Sequence, residues 1–179
     1  QSRLEGLAGK LLYEYGVAAK ITSNVREAIR KADIVIAVTS SLDAVVHPED
    51  LKPGSVVCDV ARPRAVSYRV ALERDDVLVI EGGVVDVPGE PNFHFNFGFP
   101  PGKAYACMAE TMILTLEKKF ISFSLGRDMT IEQVEEMGRL AQKHGFALSG
   151  FRSFERALTM EEILRIRDNA ERAKAKLTV

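Results

Sequence analysis

Cys107 sits in the stretch Tyr105 to Thr111, YACMAET, shortly after Pro100, Pro101 and Gly102. A thiol performs acyl transfer as its thiolate, and a position near the start of a helix favours that anion, an effect that fades beyond the first turn. From Lys103 the run AYACMAETMILTLEKKF reads as helix. Cys107, Glu110, Thr111 and Leu114 then fall at i, i+3, i+4 and i+7 and share a face. On that reading Cys107 stands at or just past the first turn, and the Glu110 carboxylate opposes the dipole. Free cysteines are also among the most buried side chains. Cys107 is therefore either a nucleophile or a packing residue. Cys58, inside the apolar run SVVCDV, is expected in the core.

His94 is a second candidate, as a general acid or base near neutral pH. It lies in PGEPNFHFNFGFPPG, where Phe93, Phe95, Phe97 and Phe99 alternate around it. This strand-like spacing suits either the lining of an apolar pocket or an edge segment laid over the core, and a loop histidine is often just solvated.

Positioning these residues is the task of the flanking elements. Leu4, Leu7, Leu11 and Leu12 form one stripe over residues 3 to 15, and Gly16 follows as a stop, so an amphipathic helix is expected there. VAAKIT reads as a short strand. Asn24 caps a helix over VREAIRKA. DIVIAV, SVVCDV and VLVI are unbroken apolar runs of the kind found in strands buried on both faces. Such strands alternating with helices predict an α/β, doubly wound, mostly parallel sheet with helices on both faces. Thr130 with Gln133, and Thr159 with Glu162, form capping-box patterns opening two further helices, the first closed by Gly145. The last helix carries Ile163, Ile166 and Ala170 on one stripe amid dense charge, which suits packing back on the domain or pairing in a homodimer.

In doubly wound sheets ligands bind at the carboxyl ends of the strands. The residues there are Thr39, Ser40 and Ser41, then Ala61, Arg62 and Pro63, then Glu81, Gly82 and Gly83. Hydroxyls of the first group could bond a ribose or carboxamide, and the paired glycines would let a flat ring approach the backbone. The same residues also suit ordinary strand-to-loop turns. No GxGxxG is present, and the chain opens on a helix of the type that follows a second strand. The expectation is a Rossmann-like domain over residues 1–102 lacking its first strand-helix-strand unit, and with it the phosphate half of a cofactor site, followed by a helical part over 103–179.

Bulk properties narrow the partners. The 179 residues carry 24 basic and 25 acidic side chains, a net charge of −1, with 46% hydrophobic content. That balance gives no electrostatic footprint for nucleic acid or an anionic membrane, so a small-molecule or carrier-bound substrate fits better. Two cysteines without CxxC spacing and no signal-like N-terminus suggest the cytoplasm, and no apolar run reaches the ~18 residues of a membrane span.

The segments Ala106 to Glu110 (ACMAE), Phe123 to Arg127 (FSLGR) and Lys143 to Phe146 (KHGF) resemble the aldehyde-forming long-chain acyl-(acyl-carrier-protein) reductases and their relatives described as predicted amino acid or shikimate-type dehydrogenases. The resemblance is clearest over residues 105 to 146 and weaker over 24 to 88. It implies a two-electron reduction with NADP (or NAD), in which Cys107 accepts the acyl group as a thioester and hydride then releases an aldehyde. A thiolate exchanges with a carrier thioester nearly isoenergetically, and the resulting enzyme thioester accepts hydride without ATP. The sequence departs from that family at ARPR, where a Gly-rich, Tyr-Pro turn is expected, and at Leu125, where an aromatic is. Residues Ala147 to Val179 have no counterpart in it, and its N-terminal acyl-binding region lies outside this chain. Two other readings stand beside it: a dehydrogenase with direct hydride transfer, and a non-catalytic Rossmann-like binding or assembly module.

Overall fold

A computed structural model describes residues 2–96, 98–126 and 129–177. Phe97 of the alternating aromatic set and Arg127 of the FSLGR stretch lie outside the described residues.

The first helix, α1 (Ser2–Tyr15), ends as expected: Gly16 takes φ +67°, open to glycine, and its N–H bonds Leu12 O at 3.1 Å. VAAKIT does not form the expected strand. Alternation becomes a strand only where an edge accepts the backbone N–H and C=O groups, and no edge pairs with this segment. α2 (Val25–Lys31) is capped as expected, with Glu27 N–H donating to Asn24 Oδ1 at 3.2 Å.

Three parallel strands follow in the order β1 (Ile34–Ala37), β2 (Val56–Asp59), β3 (Leu78–Glu81), with Ile34 beside Val56 beside Leu78. The link from β1 to β2 is a loop with a 3-10 turn at Pro48–Asp50, and that from β2 to β3 holds only the five-residue α3 (Arg69–Glu73). Helices and loops cover one face. Ile29 of α2 and Val70 of α3 join Val46, Leu51, Val57, Val66, Val77 and Val79 in one buried cluster.

The opposite face is open over β1, where Ile34 and Ile36 are 68% and 67% exposed. Helices on both faces, and burial of DIVIAV on both faces, are thus corrected. A continuous apolar run makes a strand fit for burial on two sides without supplying a cover for the second. Cys58 points to this face and is only half-buried, not a core residue.

The chain then builds a second, antiparallel sheet with β4 (Val84–Asp86) between β5 (Lys103–Tyr105) and β6 (Ala147–Leu148). Lys103 ties it together, pairing with Asp86 and donating to Ser149 Oγ at 2.6 Å. Against it pack α4 (Ala106–Leu116) and α5 (Ile131–Lys143) through Ala109, Ile113 and Leu140, joined in one cluster by Phe146 just beyond α5. The hairpin β7 (Arg152–Ser153) and β8 (Arg156–Ala157) leads into α6 (Met160–Leu177). α6 packs back on the chain: Ala170 is buried, and Asn169 Nδ2–H donates to Asp75 O at 3.2 Å. The described residues thus form a mixed α/β structure with a three-stranded parallel sheet and six α-helices. Among them no helix is long and apolar enough to cross a membrane.

Candidate functional site

α4 begins at Ala106, three residues later than its sequence pattern suggests, because Lys103–Tyr105 are drawn into β5 by pairing with β4. Tyr105 is the N-cap, so Cys107 occupies the second helical position, inside the first turn, and that turn holds no acidic side chain. This is where the unpaired N–H groups of a helix favour a negative charge. Cys107 is exposed, so it fills no core here.

The same short connection sets what lies beside it. β3 ends at Glu81, Gly82 and Gly83 form the corner, and β4 begins at Val84. Ala106 N–H donates to Gly83 O at 2.7 Å, fixing the start of the cysteine helix to the glycine corner at the carboxyl end of the parallel sheet. Gly82 packs closely on Val60: a Cβ there would come within 3.2 Å of Val60 Cγ2. Gly83 has φ +88°, and nothing lies within 4 Å of the point where its Cβ would stand. That open space is the feature a flat ring needs for close approach to backbone.

Thr39, Ser40 and Ser41 lie at the end of β1, two strands and so roughly 10 Å from β3. Thr39 Oγ1 accepts Ser41 N–H at 3.1 Å and Ser41 Oγ donates to Asp43 O at 2.9 Å, so these two hydroxyls shape their own turn. Ser40 is the exposed member. No hydrogen bond links this group to Cys107 or to the glycine corner among the described residues.

The ARPR turn is organised by two carboxylates at strand ends, whose role the sequence reading did not single out. Asp59 is 0% exposed, and its carboxylate accepts Ala61 N–H at 3.1 Å and Val66 N–H at 3.0 Å. Buried Glu81 accepts Arg64 Nε–H and Nη2–H at 2.9 and 2.6 Å through Oε1, and Glu155 N–H at 2.7 Å through Oε2. Their signal was legible: one acidic residue closes each of two otherwise apolar runs. Arg62 remains exposed.

The aromatic segment is a loop, not a strand. Asn92 and Asn96 side chains accept the N–H groups of His94 and Gly98 at 2.9 and 2.8 Å, and His94 is exposed at φ +52°. The loop lines a groove of about 820 Å³ with Phe93, His94, Phe95 and Phe99 among its walls. Phe99 stacks edge-on to Tyr105, centroids 4.8 Å apart, which joins the groove wall to the N-cap of α4. The guanidinium of buried Arg152 lies 5.3 Å from the Phe99 centroid on that ring's face.

Farther along α4, Glu110 Oε1 accepts the Ser124 hydroxyl at 2.6 Å, bringing the ACMAE and FSLGR stretches together. The Thr111 hydroxyl is turned back to Cys107 O at 3.2 Å. The helix end is clamped to the KHGF stretch: Glu117 Oε1 receives Lys143 Nζ at 2.5 Å and lies 2.5 Å from His144 Nε2. Hydrogen bonds from Lys143 and His144 lower the Glu117 carboxyl to about 2. Among the described residues no cluster of histidine, cysteine and carboxylate could hold a metal ion.

No family model matches the chain. It is 31% identical over 166 residues to the aminotransferase PigE of Serratia sp. (strain ATCC 39006), an alignment covering 90% of this chain and 19% of that protein. It is 32% identical over 125 residues to the long-chain acyl-[acyl-carrier-protein] reductase of Synechococcus elongatus (strain ATCC 33912 / PCC 7942 / FACHB-805), covering 66% of this chain and 36% of that enzyme. The chain therefore spans about a fifth and about a third of the lengths of these two curated relatives, both of which are named as enzymes, and it is similar to a part of each.

Proposed function

We propose that this chain is the cofactor-facing and cysteine-bearing part of an NAD(P)H-dependent reductase, in which Cys107 takes an acyl group from a thioester and the acyl-enzyme is reduced to an aldehyde. The observation that carries this reading is the juxtaposition of an exposed first-turn cysteine with a glycine corner at the carboxyl end of a parallel sheet. The similarity to a part of a long-chain acyl-[acyl-carrier-protein] reductase supports it. The name of the other relative describes a whole protein of which this chain matches 19%, so it does not assign transamination to the shared part.

On this reading the parallel sheet contributes to a Rossmann-like nucleotide site. Gly82 and Gly83 would take the nicotinamide ring against open backbone, and Ser40, with Thr39 and Ser41 shaping its turn, would face the sugar or carboxamide. Bound there, the nicotinamide cofactor supplies the hydride. The chain's own contribution is to hold Cys107 beside the glycine corner, through the Ala106–Gly83 hydrogen bond, and to present its thiol in the first turn of a helix. The acyl portion would run along the Phe-lined groove, whose wall meets the N-cap residue at Tyr105.

The test is intact-mass spectrometry of the protein after exposure to long-chain acyl thioesters, with Cys107→Ser and Cys58→Ser in parallel. An acyl adduct lost only in Cys107→Ser supports the covalent step. No adduct on a protein that binds NADP(H) replaces it with direct hydride transfer, and absence of both adduct and cofactor binding points to a non-catalytic module.

A further inference from the structure

Acylation of a cysteine by a thioester moves a proton twice, off the attacking thiol and onto the departing one, and the reading above names no group for it. We infer that Glu110 is that group. This inference rests on the acyl-enzyme reading and deepens it.

Cys107 and Glu110 stand at i and i+3 of α4, so they are neighbours on one face. Glu110 Oε1 accepts the Ser124 hydroxyl, which holds the carboxyl in place across the connection from α4 to α5. No basic side chain pairs with Glu110 among the described residues. His144 is bound to Glu117 at the far end of the helix, and His94 sits exposed in the aromatic loop. The Thr111 hydroxyl is spent on a main-chain oxygen.

The step balances without a further reactant. The Glu110 carboxylate takes the Cys107 thiol proton as Sγ bonds to the carbonyl carbon of the thioester. The bond from that carbon to the leaving sulfur breaks, and the Glu110 carboxyl returns the proton to the departing thiolate. A group that does this matters most when the leaving thiolate is a strong base: an alkyl thiolate needs the proton, whereas an aryl thiolate leaves unaided.

The experiment compares acylation of Cys107 by a short alkyl thioester, S-acetyl-N-acetylcysteamine, and by an aryl thioester, S-phenyl thioacetate, followed by intact mass on the full chain in a Cys58→Ser background. Glu110→Gln still offers an amide oxygen to Ser124, so the loop stays held while the proton acceptor is removed. The expected result is a loss of about 100-fold with the alkyl thioester, a clearly smaller loss with the aryl one, where only the proton abstraction is affected, and partial recovery in Glu110→Asp. Equal slowing with both thioesters, or no change with either, overturns the assignment of Glu110 and leaves the acyl-enzyme reading standing. Failure of Cys107 to acylate even with the aryl thioester in the Cys58→Ser parent takes down both.

Discussion

The two carboxylates that close β2 and β3 show how a single residue type can fix a turn from the inside. Asp59 is fully buried and answers two backbone N–H groups of the loop that follows it. Asp59→Ala strands both donors without water, at about 1–3 kcal/mol each, so a total loss of about 2–6 kcal/mol is expected in urea unfolding. Asp59→Asn keeps one acceptor but turns an N–H₂ toward the other donor, and should fall between wild type and Asp59→Ala. The residue types of this site were readable in the sequence, as an acid ending each apolar run and a cysteine beside a helix start. Their partners were not, because Arg64 reaching Glu81, Glu155 N–H reaching the same carboxylate, and Ser124 reaching Glu110 are contacts between segments that only the fold brings together.

Helix ends were the most legible elements, since a cap is a local contract between residues three apart. Thr130 Oγ1 accepts Gln133 N–H at 3.2 Å while Gln133 Oε1 accepts Thr130 N–H at 2.8 Å, and Thr159 with Glu162 repeats the pattern. Thr130→Ala should cost about 1 kcal/mol in α5 stability, measured as a lower urea midpoint. Helix starts governed by sheet pairing were less legible: Lys103–Tyr105 carry a helical pattern yet pair with β4, which moves the beginning of α4 and brings Cys107 into the first turn. The packing of α4 on α5 also has a pH signature. Glu117 is held at about 2, first by Lys143 and then by His144, against an ordinary value of 4.5. Its folded-state pKa is depressed, so the stability it contributes is complete above about pH 4.5 and is lost as pH falls toward 2. Urea midpoints of wild type should therefore drop across that window, and Glu117→Gln should lie below wild type at pH 6 and converge with it near pH 2. Parallel curves that keep their separation at pH 2 would remove the Glu117 clamp as the cause.

At the scale of the whole molecule, the alternation of strands and helices announced a parallel α/β sheet, and the runs DIVIAV, SVVCDV and VLVI formed its three parallel strands. What the sequence could not announce was which face has a cover. Ile34, Val35, Ile36 and Ala37 are equally apolar as letters, and only the crossing of α2 and α3 over Val57 and Val79 separates an inner face from an outer one. The separation has a measurable consequence. Val57 is 0% exposed, and Val57→Ala removes two methyl groups from the covered cluster, which should cost about 2 kcal/mol at ~0.8 kcal/mol per buried carbon group. Ile36 lies on the open face, and Ile36→Thr, which keeps the branched shape preferred in strands, should change stability by no more than about 0.5 kcal/mol. The two variants differ in position by one strand and one face, so the contrast reports coverage directly. A cost for Ile36→Thr as large as that for Val57→Ala would mean that something packs on the outer face in solution. In that case the same substitution should also lower the sedimentation coefficient if the cover is a second copy of the chain, and leave it unchanged if the cover is α1 folding over with its half-exposed leucines.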